Sequence, residues 1–210
     1  DWLIYVAGLT ILSAAIIALR QDNLKLRLAY STIGQLAYIV LAAALANSHA
    51  LAAGTVHIAA HAFGKITLFF AAGSIYTATK KTEVSQLNGI GRAMPWTMLA
   101  FAVGSLSMIG IPPTAGFLSK WFILQGAIDI QSWFAISVIV ISTLLNAAYF
   151  LPIIYVAFFR DPDTKEGYLY NEAPILIVLT VLSTALVSII LFFFPQIPIE
   201  LISLLIGEGL

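Results

Sequence analysis

A long apolar part of this chain is interrupted by the sequence Gly110-Ile111-Pro112-Pro113-Thr114-Ala115-Gly116-Phe117-Leu118-Ser119-Lys120. Pro112 and Pro113 remove two backbone donors and, with Gly110 and Gly116 on either side, predict a break in a helix. A broken membrane helix is tolerated only where it is buried in protein or lines a hydrated cavity. Such breaks mark ion sites in transporters, because helix ends expose carbonyl and amide groups. A structural kink is the alternative, and a lysine two turns after the break, Lys120, favours the ion site.

The composition indicates a membrane protein. Hydrophobic residues make up 60% of the chain and charged residues only 10%, with a mean hydropathy of +0.98. This excludes disorder and argues against a soluble globular domain. A net charge of zero gives no sign of a nucleic-acid partner, and the lack of cysteine excludes disulfides and thiol chemistry. Because the chain begins with Asp1 and continues directly into apolar sequence, we interpret it as a piece of a longer polytopic protein.

Six apolar segments meet the requirement of about 20 residues for a membrane-spanning helix. They are residues 2–19, 30–46, 51–79, 93–128 (broken at 110–113), 133–159 and 173–194. Because backbone groups in lipid must be hydrogen-bonded internally, all six are expected to be helical. The sequence therefore predicts an all-α, polytopic membrane helix bundle of six spans with one helix broken at two prolines. Residues 195–210 are expected to form an interfacial C-terminal tail.

The basic residues predict an orientation. Eight of the ten Lys and Arg residues lie in three alternate polar gaps, Arg20–Arg27, Lys80–Arg92 and Arg160–Lys165. The other gaps, Asn47–Ala50 and Asp129–Ser132, carry none. By the positive-inside rule the basic gaps are cytoplasmic, provided that the broken segment crosses the membrane once. The charged stretch from Asp161 to Glu172 is expected to be a solvated linker or a contact with a partner protein.

The remaining two lysines, Lys65 and Lys120, fall inside apolar segments. A lysine inside a membrane helix is costly and is a functional-site hypothesis by default. His57, His61 and Lys65 are four residues apart, so each step rotates by about 40° and rises by about 6 Å along one helix face. Imidazole titrates near neutral pH, and a buried amine is neutral part of the time because desolvation disfavours its charge. The row is therefore predicted to relay protons towards Lys120.

Two other interpretations of the row remain. The histidines could be interhelical hydrogen-bond partners with Lys65 in a structural ion pair, but no acidic residue lies inside any predicted span. A zinc site at His57 and His61 lacks a third ligand and a general base nearby, so no metal is predicted. Asp129, at an outer helix end, is a candidate exit-side proton acceptor.

Four small polar residues in the apolar spans are candidates for holding water between the lysines: Gln35, Ser142, Thr143 and Asn146. Such residues serve more often as packing contacts between membrane helices. Two other classes of function are a structural membrane protein and an intramembrane hydrolase. The proline break and the buried histidines argue against the first, and the second lacks a His-Glu-x-x-His or Gly-x-Ser-x-Gly motif.

Three motifs occur in order along the chain: Leu24-Lys25-Leu26-Arg27-Leu28-Ala29-Tyr30-Ser31-Thr32-Ile33-Gly34-Gln35, then His57-x3-His61-Ala62-Phe63-Gly64-Lys65, then the proline sequence quoted above. Together they resemble the antiporter-like proton-translocating subunits shared by respiratory complex I and Mrp-type cation/proton antiporters. The sequences Ala62–Ala72 and Thr82–Trp96 are most similar to the D-type subunits of Mrp antiporters. The antiporter-like subunits of complex I (NADH-quinone oxidoreductase) and of membrane-bound hydrogenase are the alternatives.

The resemblance implies the second of two inverted five-helix repeats, followed by one further helix, with the first repeat absent from this chain. It implies that Lys65 is the central relay lysine, that Lys120 is the lysine of the broken helix near the outward half-channel, and that His57 and His61 link them. The implied partners are other membrane subunits of a multi-subunit complex, the lipid bilayer and protons, with sodium or potassium as further candidates. No cofactor and no chemical reaction within the chain are implied, and the implied location is a bacterial inner membrane.

Overall fold

The computed structural model describes residues 2–162, 171–196 and residue 200, and within these ranges the secondary structure is almost entirely helical. The α-helices are α1 (Trp2–Arg20), α2 (Leu24–Leu45), α3 (Ser48–Thr79), α4 (Ile90–Ala93), α5 (Pro95–Ile109), α6 (Ala115–Asp129), α7 (Trp133–Phe159) and α8 (Ile175–Phe193), with a 3-10 turn at Val84–Gln86. Helices α1, α2, α3, α7 and α8 are each long and apolar enough to cross a membrane. The predicted all-α membrane fold is confirmed.

The predicted helix break separates α5 from α6. Helix α5 ends at Ile109, and Gly110 follows in the left-handed region with φ +90°. Its N–H and that of Ile111 both bond to the carbonyl oxygen of Leu106, which closes the last turn of α5. Helix α6 then begins at Ala115, so a short non-helical connection of five residues contains both prolines.

Contacts at the two ends of the bundle show that α5 and α6 together cross it once. At one end, the N–H of Gly89 donates to the carbonyl of Val156, close to the end of α7. At the other end, the Asn47 side chain, which caps the start of α3, donates to the carbonyl of Gly126 near the end of α6. Since α3 connects the two ends, the broken helix is one crossing of the bundle.

The packing is that of a bundle with an apolar exterior. Small residues lie where helices meet, and large apolar side chains such as Trp2, Leu144 and Leu176 are more than two thirds exposed. That arrangement suits a lipid environment, in which packing between helices depends on close approach and polar contacts. Helix α3 contacts α2, α5, α6 and α8, and it therefore lies in the interior of the bundle.

The start of α2 differs from the prediction. The helix begins at Leu24, capped by the Asn23 side chain, six residues before the predicted start of the second span. Arg27 was interpreted as a loop cation, but it lies in the first turn of α2 and is buried. Its guanidinium donates to the carbonyls of Gln21 at 2.8 Å and Tyr149 at 3.0 Å. The interpretation of Arg27 as a loop cation was wrong. Its burial depends on the carbonyls of Gln21 in a loop and of Tyr149 on a distant helix, and the local sequence gives no sign of either contact.

The C-terminal part of the Asp161–Glu172 segment also differs from the solvated linker that was expected. The carboxylate of Glu172 accepts from the N–H groups of Trp96 and Thr97 and from the Thr97 hydroxyl at 2.6 Å. Glu172 thus satisfies the exposed amides at the start of α5. Residues 163–170, and nearly all of the predicted interfacial tail at 195–210, lie outside the described residues.

Candidate functional site

The four side chains that the sequence predicted as a relay are all buried. His57, His61 and Lys65 lie along α3, and Lys120 lies on α6, which packs against α3. The His57 and His61 rings are nearly parallel, with centroids 6.2 Å apart. The order along the row is Lys65, His61, His57 and then α6, as the helical spacing predicted.

Lys120 is held by the backbone at the helix break. Its ammonium donates hydrogen bonds of 2.9 Å to the carbonyl oxygens of both Met108 and Ile109. These carbonyls lie in the last turn of α5, where no following turn of helix satisfies them and the helix dipole is negative. The ring of Tyr38 covers the ammonium, with its centroid 5.1 Å away. The broken helix thus supplies acceptors for this ammonium from its own backbone.

The other lysine also has a backbone partner. Lys65 donates to the carbonyl of Leu28 on α2 at 3.0 Å, and its ammonium lies 5.9 Å from the centroid of the Phe150 ring. Among the described residues, no carboxylate forms an ion pair with either buried lysine. Both ammonium groups are therefore stabilised by dipoles and aromatic faces rather than by a fixed counter-charge.

Ser119 connects the histidine row to α6. His57 Nδ1 lies 2.9 Å from Ser119 Oγ, and the Ser119 hydroxyl itself donates to the carbonyl of Gly116. With its proton used in that bond, Ser119 accepts from His57 Nδ1–H, which leaves Nε2 of a neutral imidazole as a proton acceptor. This contact brings the row to α6, the helix that also carries Lys120.

Two buried ring nitrogens of the row lack a direct partner. Nε2 of His57 and Nδ1 of His61 make no hydrogen bond to any residue in the described part of the chain. Buried polar atoms of this kind are normally bonded to ordered water. The stacked rings therefore present two positions at which a water molecule can join one imidazole to the next.

The carbonyl oxygen of Met108 is a shared acceptor. Besides Lys120, it accepts from the side-chain amides of Gln35 at 3.4 Å and Asn146 at 3.3 Å. The Tyr149 hydroxyl lies 2.7 Å from Asn146 Oδ1 and extends this network towards α2. Gln35 and Asn146 were predicted to hold water between the lysines; in the structure both contact the helix break directly.

Ser142 and Thr143 occupy different environments. The Ser142 hydroxyl is fully buried and bonds to the Tyr38 hydroxyl. Thr143 is half-buried and, with Gly110 and Lys120, lines a cavity of about 220 Å³ between α6 and α7. Ser142 thus contacts the tyrosine that covers Lys120, and Thr143 shares a cavity with Lys120.

Sequence reasoning missed Tyr38 and Tyr149. Both are almost fully buried and contribute hydroxyls to the polar network. Both tyrosines lie in the middle of apolar spans, and a buried phenol needs a hydrogen-bond partner. Their position could therefore have indicated a buried polar network. Ser119 carried no comparable signal, since serine is common in membrane helices as a packing residue.

Asp129, the predicted exit-side acceptor, pairs with a histidine that the sequence did not single out. His49 Nδ1 lies 2.8 Å from Asp129 Oδ2, and both side chains are exposed. The pair joins the first turn of α3 to the end of α6, the two helices that carry the relay residues. Over the described ranges, no cluster of three or more His, Asp or Glu side chains forms a possible metal site.

Known proteins share this fold and sequence. The protein-family model described as NADH:quinone oxidoreductase/Mrp antiporter, transmembrane, matches residues 1–146. NADH-quinone oxidoreductase subunit N of Desulforudis audaxviator is 42% identical over 156 residues, which are 74% of this chain and 31% of that protein. A chain of the membrane-bound sulfane sulfur reductase, an archaeal respiratory membrane complex, is 29% identical with a TM-score of 0.86 over 96% of this chain and 40% of that one.

A chain of the Mrp complex from a Dietzia species has the same fold, with a TM-score of 0.85 at 22% identity. It covers 94% of this chain and 45% of its own length. This chain thus spans about a third of the curated relative and less than half of each of these solved chains.

Proposed function

The chain belongs to the NADH:quinone oxidoreductase/Mrp antiporter family of transmembrane proteins, and on this premise we propose that it is the proton-conducting half of a cation/proton-translocating subunit. The resemblance predicted from the three sequence motifs is confirmed by this family membership. The chain is an integral membrane protein, and the solved structures similar to it come from multi-subunit membrane complexes. Its own partners are accordingly proposed to be other membrane subunits.

One observation carries the proposal: the buried side chains of His61, His57 and Ser119 follow one another between Lys65 on α3 and Lys120 on α6. A proton leaving Lys65 passes to His61 and then to His57 across the stacked imidazoles. From His57 it moves by way of the Ser119 hydroxyl towards Lys120. Each step exchanges a proton between neighbouring nitrogen or oxygen atoms, with water joining the unpartnered ring nitrogens.

The environment of Lys120 suits a group that gains and releases a proton. The carbonyls of Met108 and Ile109 stabilise the ammonium form. A neutral amine also donates N–H groups, so these two acceptors keep their partner after the proton has left. A carboxylate partner would instead favour the charged form strongly and oppose release.

The identity of the complex has two candidates. The similarity of two sequence segments, Ala62–Ala72 and Thr82–Trp96, favours the D-type subunit of an Mrp-type monovalent cation/proton antiporter in a bacterial inner membrane. The 42% identity to the Desulforudis audaxviator protein favours an antiporter-like subunit of NADH-quinone oxidoreductase. The neighbouring genes separate them, because genes for proteins with iron–sulfur motifs argue for the oxidoreductase.

Proton transport by the intact complex tests the proposal. The complex is reconstituted in vesicles with a pH-sensitive dye, and Lys65→Arg is compared with Lys81→Arg at matched expression. A guanidinium does not release its proton at accessible pH, so Lys65→Arg should abolish transport, whereas Lys81→Arg, at a half-buried loop position outside the relay, should retain it. Substantial transport by Lys65→Arg would favour a purely structural membrane protein, in which only the charge is required.

A further inference from the structure

Two lysines converge on one tyrosine at the basic end of the bundle. The ammonium groups of Lys25, on α2, and Lys80, just after α3, each lie 5.1 Å from the centroid of the Tyr76 ring. All three side chains are exposed. The ring face attracts both cations, but it leaves two like charges within about 10 Å of each other.

No anion of the described residues neutralises this pair. Neither Lys25 nor Lys80 forms an ion pair there. The acidic side chains described at this end have other partners. Asp22 accepts from Ser85, Glu83 accepts from Asn23 and Thr82, Asp161 pairs with Arg92, and Glu172 caps α5. Within the described ranges, the two ammonium groups are therefore a positive site without an ion-pair partner.

The backbone at Lys80 supports a role for its side chain. Lys80 follows the last residue of α3 with φ +59°, in the left-handed region, and its N–H donates to the carbonyl of Tyr76. Glycine is the usual residue at this position because other residues pay a steric cost there. A lysine kept in a disfavoured backbone conformation is a reason to look for a function of its side chain.

An apolar groove runs between α3 and α8, and its lining on α3 reaches Thr77, the residue that follows Tyr76. Its volume is about 380 Å³, and its lining includes Phe69, Gly73 and Thr77 on α3 and Leu176 and Thr180 on α8. A Cβ atom on Gly73 would meet no atom within 4 Å. The glycine thus leaves the groove open without being required by helix packing.

The groove and the cations lie on the same side of α3. At about 100° per residue, Phe69, Gly73 and Tyr76 fall within about 60° of arc, and Lys80 follows the end of the helix one turn after Tyr76. Lys80 is about 10 Å further along the helix axis than Gly73. A molecule bound along the groove would therefore have one end near Tyr76 and the two ammonium groups.

We propose that this site binds an anionic phospholipid, with one acyl chain in the groove and its phosphate between Lys25 and Lys80. The charge distribution selects this occupant. An apolar helix of another protein would leave both ammonium groups unpaired, and a zwitterionic lipid would add a further cation to a positive site. An anionic headgroup at Tyr76 lies within one Debye length of both lysines.

Photo-crosslinking of the intact complex in nanodiscs tests the site. Phosphatidylglycerol and phosphatidylcholine carrying the same diazirine-labelled acyl chain are compared, and labelled peptides are assigned by mass spectrometry. We expect labelling of residues 69–77 and 175–180 to be several-fold stronger with phosphatidylglycerol. Lys25→Gln and Lys80→Asn should each reduce this preference by roughly fivefold; asparagine is chosen because it tolerates the left-handed region.

Lys81→Gln is the matched control. It removes the same charge one residue away, but the Lys81 ammonium is directed to the carbonyl of Gln86, so the preference should persist. Gly73→Leu should block labelling within the groove. Equal labelling by the two lipids, an equal effect of Lys81→Gln, or crosslinks to a helix of another protein in place of lipid would each overturn the proposal.

Discussion

The ammonium of Lys120 donates a hydrogen bond of 2.9 Å to the carbonyl oxygen of Met108, twelve residues earlier in the chain. The broken helix thus supplies both members of the contact, the lysine from α6 and the acceptor from the end of α5. Because the carbonyls at a helix end have no partner in their own helix, the break creates a binding position for a cation. The lysine in turn donates to the carbonyl of Ile109 and shares that of Met108 with the side-chain amides of Gln35 and Asn146.

This contact predicts how substitutions of Lys120 behave. Lys120→Arg keeps a donor for both carbonyls but cannot release a proton, so the complex should assemble normally and transport should fall to background. Lys120→Ala should lose transport and also stability, by about 1–3 kcal/mol, because the Ile109 carbonyl loses the lysine as its donor and the Met108 carbonyl loses one of three donors. Proton flux in vesicles and thermal unfolding of the purified complex measure the two effects. Lys80→Arg is the control, and appreciable transport by Lys120→Arg would contradict the relay role.

The stacked histidines predict a second, non-additive result. His57→Gln or His61→Gln alone should slow transport, because water can bridge the gap left by one relay group. The double substitution should slow it by more than the product of the two single effects, since no imidazole then remains between Lys65 and Ser119. Initial rates of vesicle acidification at equal protein content measure this. A double variant that transports normally but assembles poorly would show that the rings serve packing instead.

The close approach of α6 to α5 predicts a strong effect at Gly116. A Cβ atom there would lie 1.8 Å from the carbonyl oxygen of Ser107, and backbone atoms cannot move aside as a flexible side chain can. Gly116→Ala should therefore destabilise the protein by about 3 kcal/mol. Gly73→Ala, also within a helix but with no atom in reach of its Cβ, should be neutral or slightly stabilising. The fraction of complex that stays assembled after a heat step distinguishes the two variants.

The helices and the relay row could be predicted from the sequence because their signals are local. Apolar length predicts a membrane helix, and the spacing of His57, His61 and Lys65 predicts one face regardless of what packs against it. The break at two prolines follows from backbone chemistry alone. These features require no knowledge of which helices are neighbours.

The partners of those residues could not be predicted because they depend on packing between distant segments. Lys65 bonds to Leu28, 37 residues away, and Arg27 reaches Tyr149 across 122 residues. The hydropathy of the sequence indicates that both cations are unfavourable in lipid. It does not indicate which carbonyl accepts a hydrogen bond from each of them. The role of Glu172 was missed for the same reason. Its carboxylate accepts hydrogen bonds from the start of α5, which is about 75 residues earlier in the chain.

The contact of Glu172 with α5 predicts an effect on stability without one on transport. Glu172→Ala should cost about 1–2 kcal/mol, because two helix amides and the buried Thr97 hydroxyl lose an acceptor. Asp161→Asn is the matched control: its side chain is 89% exposed and forms a surface ion pair with Arg92 at 3.2 Å, and surface pairs contribute little. Thermal unfolding should separate the variants, while transport per assembled complex stays unchanged. Loss of transport in fully assembled Glu172→Ala would assign this end of α5 to the conduction path.

The single crossing made by α5 and α6 predicts which residues share a side of the membrane. The chain contains no cysteine, so single cysteines can be placed at Thr82, Asp161 and Ser48 and treated with an impermeant thiol reagent. Thr82→Cys and Asp161→Cys should react from the cytoplasm, since both lie at the end that carries the basic gaps. Ser48→Cys, at the opposite end of α3, should react only from outside. Each variant is compared in intact cells and inverted vesicles, with permeabilised membranes as the control for reactivity. Labelling of positions 82 and 161 from opposite sides would require two crossings by α5 and α6 and would contradict the broken helix as one span.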